Sequence, residues 1–167
     1  MGEKARVSGI PSGFLQAKLA LFHERFVISY YREGNRIEYI ITELNSRQEV
    51  SFSVVVVLNV FARKIHVSKF YPGLYRLNNC RYLSAACFEL VIHHFAQQYF
   101  LGSDYKIFLQ CRRPVFQDFY STLKDFSFQI LHDGQGENVN VASPYLPVDI
   151  NTAMISQRPA TDLYKFM

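Results

Sequence analysis

The chain has 167 residues, 49% of them hydrophobic and 19% charged, with 15 Phe and 11 Tyr but no Trp. This length and balance fit one domain with its own core, built largely from ring packing, and exclude a disordered chain. A formal charge of +4 suits an anionic small ligand such as a nucleotide or pyrophosphate, but it is too small and too scattered to mark a DNA or RNA partner.

The first nine residues are polar, with no apolar stretch of signal-peptide length behind them, and Arg6 stands where a myristoylation signal needs Ser or Thr. The longest apolar run, Val54 to Val60, is broken by Asn59 and is too short to span a bilayer. Cys80, Cys87 and Cys111 are odd in number and lack Cys-x-x-Cys spacing. The expectation is a cytoplasmic protein with reduced thiols, no membrane span and no metal. The cation pairs Arg63-Lys64 and Arg112-Arg113 read as solvated turns or strand ends.

In chain order, Gly13 to Arg25 carries an apolar stripe at a period near 3.6 and reads as a helix. The period then shortens. Phe26 to Arg32 and Arg36 to Thr42 flank Glu33-Gly34-Asn35, a hairpin signal because Gly and Asn tolerate positive φ. Val50 to Phe61 is a third strand, whose valine run predicts an interior strand covered on both faces. Arg63 to Phe70 is a fourth.

A loop then leads into the longest helix, about Cys80 to Leu101, apolar on most of its circumference and ended by Gly102. Its polar ridge is Glu89, His93 and Gln97, with Glu89 and His93 expected as a surface pair. Lys106 to Arg112 is a short strand, Pro114 to Lys124 a helix, and Phe126 to Leu131 with Glu137 to Val148 a second hairpin. Residues 1–150 form the domain; 151–167, without periodicity, form a tail that folds back on the body. The class is α/β (mixed α+β).

From about Lys64 onward this order resembles the GNAT acyltransferase superfamily. Pro72 to Arg81 falls where that family has Pro-x-Tyr-Arg and a glycine-rich turn; Ile107 to Cys111 falls at its next parallel strand; Phe119-Tyr120 to Phe126 falls where it often has Phe-Tyr-x-x-Leu-Gly-Phe. The resemblance implies a central mixed sheet with an antiparallel N-terminal meander, a splayed parallel pair, a long central helix and a C-terminal hairpin. It also implies a donor, acetyl-CoA or a longer acyl-CoA, in the splay beside Phe70 and Tyr75. The pyrophosphate would sit at the helix start, held by backbone N–H groups with Arg76, Asn79 and Arg81. Asn79 and Arg81 replace the small residues of the family's turn; Asn79 still reaches left-handed angles, and Arg81 would either fill the anion site or bind the anion by charge.

Tyr120 corresponds to a tyrosine that gives its proton to the departing thiolate. The acceptor would be a small-molecule or peptide amine. An acyl carrier protein is an alternative donor, and a catalytically inert GNAT-fold binding protein is the alternative function. Exposed aromatics are compatible with a homodimer. Candidate bases are Glu38, Glu43 and His66, the last facing either a cleft or solvent.

Overall fold

The computed structural model describes residues 19–20, 22–44, 51–69, 83–112, 129–132, 138–145, 147 and 150–158. Helical backbone at 19–20 and 22–25 (α1) leads into strands β1 (Phe26–Glu33), β2 (Arg36–Glu43), β3 (Ser51–Asn59) and β4 (Lys64–Lys69). Helix α2 (Leu83–Gln98) then precedes β5 (Lys106–Arg112), β6 (Gln129–His132), β7 (Asn138–Pro144) and β8 (Ser156–Gln157). All eight strands join one mixed sheet in the order β6-β7-β5-β4-β3-β2-β1-β8. The mixed α/β class and the antiparallel meander β1–β4 are therefore as read from the sequence. The helix expected over Pro114 to Lys124 lies outside the described residues.

The local chemistry explains each turn. Gly34 takes φ 60 between β1 and β2, while Asn35 keeps an ordinary φ. One positive φ, at the first central residue, marks a type II′ hairpin, whose twist matches that of the flanking strands. Asn35 then donates its side-chain N–H to the Leu58 carbonyl at 2.9 Å and fixes the tip against β3. The turn between β3 and β4 covers 60–63, shortening both strands relative to the sequence reading. There Arg63 carries φ 53 and donates to Asp104 at 2.7 Å, and its carbonyl accepts from Lys106 N–H at 3.1 Å, which clips the turn to the entry of β5.

Residues that pair across antiparallel or parallel strands share a face of the sheet. Ile28↔Ile41, Tyr39↔Val54, Val56↔Val67, Leu58↔Ile65, Ile65↔Ile107, Val67↔Leu109 and Leu109↔Val141 run as continuous rows from β1 to β7. All of these side chains are buried, in one core cluster with the apolar residues of α2. β3 lies inside the sheet, as its valine run predicted, with Val54, Val55 and Val56 all buried.

At α2 two expectations change. The helix does not stop at Gly102: Phe100 takes φ 55, Leu101 N–H donates to the Ala96 carbonyl at 2.9 Å, and Phe100 N–H donates to Gln97 at 3.4 Å. That is a Schellman cap with phenylalanine in the left-handed position that glycine usually fills. Leu101 packs on the core and compensates for the unfavourable φ.

The polar ridge is not at the surface: Glu89 is 0% and His93 1% exposed. The chain that follows β7 packs beside them. Tyr145 bonds His93, Thr152 donates to Gln97 at 2.6 Å, and Ile150 and Ile155 enter the core. The same segment then adds β8 in parallel to the edge of β1, and Arg158 N–H donates to the Tyr30 carbonyl at 2.8 Å. Its few anchors are spaced by tertiary contact, so no period announces them.

Candidate functional site

β4 and β5 run parallel and in register from Lys64↔Lys106 to Val67↔Leu109. Beyond that point, among the described residues, Lys69 of β4 pairs with Val55 of β3, and Gln110, Cys111 and Arg112 of β5 pair with Asn140, Val139 and Asn138 of β7. The pairing of β3 with β4 also slips between Val55 and Val56, a bulge that turns the end of β4. Among the described residues the parallel pairing ends at Val67↔Leu109, before either strand ends.

On the face away from α2, the same strands carry the alternate residues. Asn59 and Val57 of β3 register with Lys64 and His66 of β4, His66 with Phe108 of β5, and Gln110 with Asn140 of β7. These residues line a groove of about 530 Å³. Leu109 lines it as well; its side chain belongs to the buried face, so by alternation it contributes main chain at the last paired position of β4 and β5.

Inside the groove the Lys64 ammonium lies 4.2 Å from the centre of the Phe108 ring, a cation–π contact that fixes the flexible lysine stem. Gln110 donates its amide N–H to Asn140 Oδ1 at 3.1 Å. His66 is exposed. Partial burial, and then the positive charge of Lys64, hold its pKa below the usual value of 6.5. It is therefore largely neutral at pH 7 and able to accept a proton.

Of the three candidate bases, only His66 reaches the groove. Glu38 lies on β2, two strands from β4, and pairs with Arg36 at 3.8 Å. Glu43 registers with Phe26 at the far end of the meander. Phe70, Tyr75, Arg76, Asn79, Arg81 and Tyr120 lie outside the described residues. Sequence reading missed Lys64, Phe108, Gln110 and Asn140 as one surface. The available signal was the alternation of β5 and β7, in which Ile107, Leu109, Val139 and Val141 leave Phe108, Gln110 and Asn140 for the other side.

Two further polar groups sit in the core. Tyr39 Oη and His94 Nδ1 share a hydrogen bond at 2.8 Å, with the Tyr30 ring tilted against the imidazole at 4.4 Å. Burial drives the His94 pKa down to about 4, so the ring is neutral. Around His93, Nε2 lies 2.9 Å from Glu89 Oε2 and Nδ1 lies 3.2 Å from Tyr145 Oη. Burial, and then the charge of Glu89, raise the Tyr145 phenol to about 12, so it stays protonated at neutral pH. These groups tie α2 to the sheet and to the chain around Tyr145. Among the described residues no cluster of metal-ligating side chains occurs and no helix is long and apolar enough to cross a membrane.

No protein-family model matches the chain, and no curated protein matches it. Among solved structures, a domain from Methanocaldococcus jannaschii DSM 2661 aligns over 80% of this chain and 93% of its own length, at 11% identity and a TM-score of 0.44. A likeness that loose carries neither a fold assignment nor a function.

Proposed function

We propose that this chain is a diverged GNAT-type acyltransferase that moves an acyl group from acyl-CoA, or from an acyl carrier protein, to an amine. The end of the β4–β5 pairing at Val67↔Leu109, before either strand ends, carries this reading. Parallel strands that separate leave main-chain N–H and C=O groups facing a gap, where they serve a ligand instead of each other. Around the gap stand an antiparallel meander, a covered crossover helix between β4 and β5, and a hairpin whose second strand inserts beside β5. That order is what the resemblance implies for a thioester held between the two strands.

In this reading the groove on the open face receives the acceptor. The acceptor's neutral nitrogen attacks the thioester carbonyl. A C–N bond forms, the C–S bond breaks, and His66 takes the proton that the nitrogen loses. The CoA thiolate leaves and is protonated, with Tyr120 the donor that the resemblance suggests. Arg76, Asn79 and Arg81 would hold the pyrophosphate ahead of α2.

Isothermal titration with CoA, acetyl-CoA and longer acyl-CoA tests the donor side. Binding is expected, weakened about 10- to 10²-fold in Arg76→Ala, since a hydrogen bond to a charged group is worth about 1.5–3 kcal/mol. With an active acceptor, His66→Ala is expected to slow turnover about 10²- to 10⁴-fold. Silence toward every acyl chain length and every carrier-borne donor overturns the proposal. Donor binding without turnover on any amine would instead favour an inert binding protein of the same fold.

A further inference from the structure

Resting on that assignment of the groove to the acceptor, we propose that the acceptor is an amine of amino-acid size that bears a carboxylate, with Lys64 as the residue that selects it. The argument starts from charge. Asn59, Lys64, His66, Gln110 and Asn140 supply the polar lining, and no carboxylate occurs among the described lining residues. Lys64 is the one cation among the described lining residues, and Lys106 stands in register beside it on the same face. A polyamine or lysine-rich acceptor would meet repulsion at Lys64, with no carboxylate among the described lining residues to offset it. A plain monoamine would cover a lysine without giving it a counter-ion, which costs desolvation free energy. A carboxylate removes both penalties.

The geometry agrees with a small ligand. Lys64 is already held over Phe108, so little side-chain freedom is lost when it takes up an anion. His66 lies two residues further along the same strand and face, roughly 6–7 Å away at Cα. One end of the ligand can then lie at the lysine while its nitrogen lies at the imidazole. Val57 and Phe108 offer apolar surface for a side chain, and the Gln110–Asn140 amides close the other end. A groove of about 530 Å³ is of the size that small metabolites occupy. The Lys64 charge disfavours the protonated form of a nearby amine and so promotes the neutral nucleophile.

The test is an NMR-monitored titration of the whole chain, without donor, using matched pairs: L-phenylalanine against phenethylamine, L-leucine against 3-methylbutylamine, with spermidine as the polycation. The acid-bearing member of each pair should bind at least ten-fold more tightly, with shifts centred on His66 and Phe108. Lys64→Met and Lys64→Gln should abolish the preference while melting as the parent does. Equal binding within the pairs, tighter binding of spermidine, no response to either amino acid, or a preference that survives both variants overturns the inference. Because no donor is present, a failure of acyl-CoA binding in the calorimetry counts against the transferase reading alone.

Discussion

The two faces of the sheet are built by the same strands and serve opposite ends. Under α2, Ile65, Val67, Ile107, Leu109, Val139 and Val141 form a dry surface, every one of them 2% exposed or less. One residue along each strand, Lys64, His66, Phe108, Gln110 and Asn140 form a groove with a fixed cation and a neutral imidazole. Alternation alone is enough to separate stability from chemistry. A side chain on the closed face is set by packing, whereas its neighbour on the open face is released from packing and can be chosen for a ligand.

The contrast is sharpest at the largest expected effect. Phe95→Ala empties a fully buried site beside Tyr99 and should cost about 3–5 kcal/mol of stability. His66→Ala on the open face should change stability by no more than about 0.5 kcal/mol. Urea unfolding of the two variants compares the faces directly, and similar losses would mean that His66 is a packing residue.

Acid should act through the closed face. His94 has an ordinary pKa of 6.5 when unfolded and about 4 when folded, so the unfolded chain takes up the proton first. The corresponding stability is fully present above pH 6.5 and is lost as pH falls toward 4, on the order of 2 kcal/mol. Thermal melts at pH 7 and pH 4.5 should show this drop, and His94→Phe should show less of it.

Tyr145→Phe removes the phenol that bonds His93 and leaves that buried nitrogen unsatisfied. It should cost about 1–3 kcal/mol, and amide exchange should quicken in 150–158, because that segment is anchored through the same contact region. Exchange that quickens only within α2 would detach the segment from this role. The smallest effect is a gain: Phe100→Gly relieves a positive φ of 55 on an exposed side chain and should stabilise the fold by roughly 0.5–1 kcal/mol. Denaturant midpoints measure it.

Elements whose signal is local were legible in the chain alone. The switch from a period of 3.6 to one of 2 at Phe26, Gly34 at a turn that needs positive φ, the valine run of an interior strand and the long apolar helix are each decided by neighbours in the chain. The remainder depended on contacts between distant segments. Glu89 and His93 look like a surface pair until Tyr145, 52 residues beyond His93, covers them. Residues 150–158 lack a period because Ile150, Thr152 and Ile155 are spaced to meet α1, α2 and β1 rather than to repeat along an axis. The end of α2 moved to Phe100 because packing of Leu101 outweighed the preference for glycine. The groove is likewise a product of register: Lys64, Phe108 and Asn140 are far apart in the chain and become one surface only when three strands align. Local chemistry fixes which segments form; which of their faces meets another segment and which is left for a ligand is a property of the assembled sheet.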